Sequence, residues 1–194
     1  MMINLISWAH CKKLLSLDTR EKAFLELLIF SATAEIENYT NRKLKQREMR
    51  ELHNGFNQNE VLLKNYPVKE VSSLKVDNER DYTEETIVNK DYYSCFIPHE
   101  KDYEQPSEII LTDGYSFPRG RNNIEVIYTA GYLEEEVPED LKTATVEMVE
   151  WSYKRLKNRQ IGEVNLKYGQ ETQVATKMPE HVMKLLEPYR RKHW

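Results

Sequence analysis

The spacing of hydrophobic residues changes period twice along the chain. In "SWAHCKKLLSLDTREKAFLELLIFSATAEIENYTNRKL", residues 7–44, apolar positions recur every three or four residues. This predicts a short helix, a turn, and a long helix that stops at Asn41-Arg42. Ser7 is the expected N-cap of the first helix, and Asp18 or Thr19 that of the second. In the long helix Phe24, Leu27, Leu28, Ser31, Ala34 and Ile36 or Tyr39 should face inward, with Glu26, Glu35 and Glu37 outward.

From Leu44 to Thr129 the period shortens to two. "KLKQREMRELHNG" alternates and stops at the turn pair Asn54-Gly55. "EVLLKNYPV" and "EVSSLKVDN", with Pro67 between them, predict short strands, as do "TIVNKDYYSCFIP", "SEIILTDG" and "NNIEVIYTA". "IPHEKDYEQPSE" and "GYSFPRGRN" read as polar loops between them. In the last strand Ile124, Val126 and Tyr128 share one face and Glu125, Ile127 and Thr129 the other. Ala130-Gly131 breaks it.

The helical period then returns. Pro138 suits a first turn, and Glu139 and Asp140 sit well at the positive end of a helix dipole. Leu141, Ala144, Thr145, Met148, Val149, Ser152 and Leu156 form one buried stripe. After the weakly patterned "GEVNLKYGQETQVATK" a last helix starts near Pro179 and ends near "LLEPYRRKHW". The expected fold is α+β, mainly α. Helices at about 7–41 and 138–190 make a small helical bundle, with an antiparallel β insertion at about 44–130, all within one domain of 1–194.

Charge is unevenly spread. Residues 44–137 carry 11 basic and 19 acidic side chains, whereas residues 138–194 carry 11 and 8. An acidic middle and a basic end suit stacking against charged protein partners better than tracking along DNA, which needs a concentrated basic face, and they fit a simply solvated surface as well. Twelve tyrosines fit a contact-making surface, because tyrosine is frequent at protein contacts, though extra core and rim tyrosines are the plainer reading. "MMINLISWAHCKKLLSL" has no basic-then-apolar leader, and no stretch approaches the ~20 apolar residues of a membrane span. The expected site of synthesis is the cytoplasm, with no membrane partner. Cys11 and Cys95 fit no paired-cysteine pattern and read as reduced thiols.

Reactive chemistry finds no foothold. His10, His53, His99, His181 and His193 never fall four apart, as a helical metal site requires. Ser72, Ser73 and Ser116 lack the GxSxG elbow, and no glycine-rich phosphate loop occurs. Glu134–Glu136 is an acidic run of the kind that is ordinarily solvated. No enzyme, no metal and no cofactor is expected.

The C-terminal "YRRKHW" is the most pointed charge feature. Arg190, Arg191 and Lys192 suit the negative end of a helix, and the tail reads equally as a frayed terminus. The sharper reading makes Tyr189, Arg190, Arg191, Lys192 and Trp194 a partner-binding element, since Tyr, Trp and Arg are the residues enriched in interface hot spots.

Three stretches taken together resemble the head-to-tail connector, or head completion adaptor, proteins of tailed bacteriophages and prophages. They are "LISWAHCKKLLSLD…EKAFLELLIFSATAEIENYTNRKL", then "YPVKEVSSLKV" with "NIEVIYTAGYLEEEVPEDLKTATVEMVEW", and finally "MPEHVMKLLEPYRR". Residues 77–108 carry the least likeness. The resemblance implies a structural protein of the virion head–tail junction, assembled as a twelvefold ring beneath the portal protein. Such a ring extends the DNA channel, with DNA only as passing cargo, and docks the next head completion or tail protein. The C-terminal residues would then meet the portal. A stopper or tail-terminator role is the neighbouring reading. A small enzyme or nucleic-acid-binding protein without a recognised motif is the alternative from another class.

Overall fold

The computed structural model describes residues 4–15, 22–98, 106–160 and 178–191. The chain forms two compact units. One is helical, formed by residues up to Thr40 with Glu134–Arg190; the other is a β unit of Asn41–Leu133, to which Arg191 also belongs.

In the helical unit α1 spans Trp8–Leu15, α2 Lys22–Thr40, α3 Glu139–Gln160 and α4 Glu180–Leu186. The Ser7 Oγ accepts the His10 N–H at 3.3 Å, so the expected cap forms. The predicted second cap, Asp18 or Thr19, and most of the loop before α4 lie outside the described residues. The carbonyls of Pro138 and Pro179 accept the first helical bonds of α3 and α4, from Lys142 N at 3.0 Å and Met183 N at 3.1 Å. Proline serves at these starts because its missing N–H would have no helical partner. The α3 stripe is buried as expected: Leu141, Ala144, Thr145, Met148 and Val149 are all 0% exposed, and α3 packs on α2 and α4. Leu156, expected in the same stripe, is half-buried. Burying each such large apolar side chain stabilises by ~1.5–3 kcal/mol.

The inward face of α2 differs from the expected one. Leu25, Leu28, Ile29, Ala32, Thr33, Ile36, Glu37 and Thr40 are buried, while Phe24, Leu27 and Phe30 stand out in solvent. A buried hydrogen bond helps fix this rotation, with Leu5 N donating to Thr33 Oγ1 at 3.1 Å. Glu37, expected to face out, is buried.

The β unit holds two three-stranded antiparallel sheets. Strands β1 (Arg47–Gly55), β6 (Gly120–Ala130) and β3 (Val68–Val76) form one, in the order β1-β6-β3. Strands β2 (Glu60–Leu62), β5 (Glu108–Leu111) and β4 (Tyr93–Phe96) form the other, in the order β2-β5-β4. The register sets Tyr128 opposite Met49 on one side of β6 and opposite Val71 on the other. Their common core contains Met49, Val61, Leu63, Val68, Val71, Leu74, Ile109, Leu111, Phe117, Ile124, Val126, Tyr128 and Ala130.

This corrects the expected fold class. The chain is α+β, but it is not a mainly α small helical bundle carrying an insertion. The segment at about 44–130 closes two sheets over a core of its own, so the strands need no helix to bury their apolar faces.

Two local devices mark the entry and exit of the β unit. Where α2 ends, Asn41 takes φ 54°, the left-handed conformation that terminates helices, and Arg42 follows with only 2% exposure. The Arg42 guanidinium stacks 3.4 Å above the Tyr66 ring centroid and also donates to the Tyr66 carbonyl. At the other end Gly131 has φ 103° and is stitched to two separate segments. Gly131 N donates to Pro67 O at 2.9 Å, while Tyr132 N donates to Leu44 O at 2.7 Å and Gln46 N to Tyr132 O at 3.0 Å.

Candidate partner-binding surface

The C-terminal element grows out of α4. After Leu186 the chain tightens into a single 3-10 turn, Glu187–Tyr189, whose second residue, Pro188, cannot continue an α-helix. Tyr189 is 1% exposed, so it packs in the helical core rather than standing ready as an anchor. Arg190 is exposed, Arg191 is half-buried, and Lys192 and Trp194 lie outside the described residues.

Arg190 does not leave unaccompanied. Its Nη1 lies 3.9 Å from Glu187 Oε1, and its guanidinium carbon is 5.7 Å from the Tyr39 ring centroid. The Tyr39 hydroxyl in turn donates to Glu187 Oε2 at 3.1 Å. Desolvation first, then the hydrogen bond and negative charge of Glu187, raise the Tyr39 hydroxyl pKa above its usual value; Arg190 offsets part of that. The structure thus joins α2, the last helical turn and the first tail arginine in one cluster. The arginine is legible in the sequence and the Tyr39–Glu187 pair beneath it is not, because those two residues are 148 positions apart.

A second polar centre lies inside the β unit. Glu51, 7% exposed, uses both carboxylate oxygens. Its Oε1 accepts from the Tyr128 hydroxyl and from Asn65 Nδ2 at 2.8 Å. Its Oε2 accepts from Lys64 N at 3.1 Å and lies 3.0 Å from His53 Nε2. Burial pulls the Glu51 pKa upward, but the hydrogen bonds from His53, Tyr128 and Lys64 outweigh it and hold the carboxylate below its usual value. Burial, and then the Glu51 charge, push the Tyr128 hydroxyl up. Three hydrogen-bond donors and the adjacent His53 imidazole surround this carboxylate, so it fastens strands rather than activating water. The groove beside it, lined by His53, Phe56, Gln58, Val61 and Lys64, is open to solvent.

Cys11 and Cys95 are both free thiols, and burial raises the Cys11 pKa to about 11, which keeps it an unreactive core residue. Among the described residues no three His, Cys, Asp or Glu side chains converge as metal ligands, and no helix is long and apolar enough to cross a membrane.

Comparison with known proteins gives the fold its setting. The family model for head completion proteins matches residues 4–192. No curated protein sequence matches the chain. Among solved structures, a chain in the neck of an empty GTA particle computed with C6 symmetry is 22% identical, with a TM-score of 0.62 over 96% of this chain and 89% of its own. A chain in the neck of the native GTA particle computed with C12 symmetry is also 22% identical, with a TM-score of 0.59 over 90% and 86%. A chain from the virion of the native gene transfer agent particle is 23% identical, with a TM-score of 0.58 over 90% and 80%. At these identities the likeness is one of fold. The family match, spanning nearly the whole chain, says more: this protein belongs to the head completion protein family, with a structural, head–tail connector role.

Proposed function

We propose that the protein forms a twelvefold ring beneath the portal, lengthens the channel through which DNA passes, and presents a platform to the next head completion or tail protein. Both units serve as one connector domain in this reading. The family match over residues 4–192 carries it, and the shared fold with chains of symmetric GTA necks supports it. Shape and contact surfaces are what such a part needs. The direct test is electron microscopy of the purified protein, alone and mixed with the portal protein encoded alongside it. A closed ring coaxial with the portal is the expected image. Binding of isolated single copies to the portal, with no ring at any concentration, contradicts the proposal.

The portal-docking element in this reading is the chain after Tyr189: Arg190, Arg191, Lys192 and Trp194. Tyr189 contributes from the core, by fixing where the tail starts. Arginine suits carboxylates on a partner, Arg190 is exposed, and each contact is weak alone but multiplied around a ring. A loss of ~1 kcal/mol per subunit is then enough to abolish assembly. Removing residues 192–194 together with Arg190→Ala and Arg191→Ala, while sparing Tyr189, should leave the melting temperature within a few degrees of wild type. Co-sedimentation with portal should be lost. Normal co-sedimentation moves the docking surface to the helices or the sheets.

A further inference from the structure

Strands β1 and β2 are joined by residues 56–59 alone, a connection that ordinarily closes a hairpin. Here the two do not pair with each other. β1 pairs with β6 and β2 with β5, so each is an edge of its own sheet. A groove of about 580 Å³ opens between them, walled by Leu52, His53 and Asn54 on one side and by Glu60, Val61 and Leu62 on the other. Each strand lines it with three consecutive residues. The face of a strand would contribute every second residue, so it is the backbone edges that look in.

The hydrogen bonds say which groups of β2 point there. Leu63 N donates to Ser107 O at 2.9 Å, and Asn59 O accepts Leu111 N at 2.7 Å. The odd-numbered residues therefore serve β5, and alternation turns the N–H and C=O of Glu60 and Leu62 the other way. The same edge runs on to Lys64, whose N–H donates across to Glu51 Oε2 of β1 at 3.1 Å. Short of that bond the edge is open: among the described residues no strand pairs with Glu60 or Leu62 on this side. The outer edge of β3 is treated differently, since Val88 N donates to Leu74 O at 2.8 Å and covers part of it.

We infer that this groove takes an extended segment of another protein, bound as an added strand on β2. Chemistry selects the occupant. Backbone donors and acceptors that repeat at the strand period are matched by a second extended polypeptide, and not by a nucleotide, a lipid or a small polar solute. The side chains on the even-numbered face of β2 narrow the choice. Glu60 is exposed, Leu62 half-buried and Lys64 exposed, so the residues directly opposite should be basic, apolar and acidic in that order. The β unit of a second copy is disfavoured, because residues 44–137 carry 19 acidic side chains against 11 basic and repel their like. The inference stands apart from the ring, since it concerns one copy and one partner segment.

The probes are two capped synthetic peptides, Thr-Lys-Thr-Val-Thr-Glu-Thr and its reverse, titrated into the full-length, nitrogen-15-labelled protein. One direction should shift the amide signals of Glu60 and Leu62 with a Kd of ~1 mM or below, and the other should bind at least about tenfold more weakly. The same peptides with every amide nitrogen methylated should not bind, because they have lost the donors of a strand. Glu60→Pro removes a donor that the ladder to β5 does not use, and proline is tolerated at such an edge position. This variant should melt within a few degrees of wild type and bind the favoured peptide at least about fivefold more weakly. If it fails to fold, the methylated peptides carry the same test from the other side.

No shift at Glu60 and Leu62 with either peptide would overturn the inference. Equal binding of the methylated peptides would also overturn it, by showing a cleft that reads side chains and not a strand edge. Without peptide, the Glu60 and Leu62 amides should exchange with deuterium as fast as those of exposed loops. Protection at every concentration would mean that the chain covers the edge itself. Protection that grows with concentration would assign the edge to a second copy. Either result overturns the inference.

Discussion

Replacing Gly131 with alanine should cost ~3 kcal/mol or more and lower the melting temperature by about 6–12 °C. Two effects add. At φ 103° a side chain is strained whatever space surrounds it, because only glycine enters this region freely. There is also no space: an added Cβ would lie 2.7 Å from Leu44 O, 2.7 Å from Lys45 C and 2.8 Å from Gln46 N. All three are backbone atoms and cannot swing aside as a flexible side chain would. Moving them breaks the Tyr132–Leu44 and Gln46–Tyr132 hydrogen bonds that close the corner after β6. Urea denaturation of the full chain measures the cost. A midpoint within experimental error of wild type would mean that the corner is not stitched as described.

Met148→Asp should prevent folding outright. Met148 is 0% exposed on α3, in the same buried stripe as Leu141, Ala144 and Val149. Shrinking a buried methionine costs ~2–5 kcal/mol through lost burial and the cavity left behind. A carboxylate placed there without a partner adds several kcal/mol more, and protonating it only exchanges a buried charge for a buried polar group. Domains of this size are stable by ~5–15 kcal/mol, so the sum consumes most or all of the margin. The expected result is insoluble protein, or soluble protein without a cooperative thermal transition by circular dichroism. A melting curve within a few degrees of wild type would sink the packing described for α2 and α3.

These two positions also show where the sequence is readable. The Gly131 corner and the α3 stripe are legible because each is over-specified. Alternation stops at a glycine, an acidic helix start follows Pro138, and apolar residues recur with polar ones between them. The rotation of α2 is not legible. Residues 24–30 are apolar at every position but Glu26, so a 3.6-residue period fits more than one inward face. Periodicity alone therefore puts Phe24 and Leu27 inside, whereas the structure buries Leu25 and Ile29. The split into two sheets is hidden too, since strands of either sheet alternate identically and β2 is three residues long. In the C-terminal element the charges are legible and the burial of Tyr189 is not: tyrosine is amphipathic, and the same residue type serves a core or a rim.

The end of β1 has a consequence for how long the protein stays chemically intact. Asn54-Gly55 is the dipeptide most prone to lose its side-chain amide over time, because glycine offers no Cβ to hinder its own nitrogen from attacking the asparagine carbonyl carbon. Here both reacting groups are engaged. Gly55 N donates to Asn123 Oδ1 at 2.9 Å, and Asn54 Oδ1 accepts Asn122 N at 2.7 Å. Asn123, 1% exposed, is itself fixed by donating to Asn78 Oδ1 at 3.0 Å and Pro118 O at 2.9 Å. The clasp that sets the strand end therefore also slows chemical ageing, an advantage for a part that a cell makes once and a particle cannot replace.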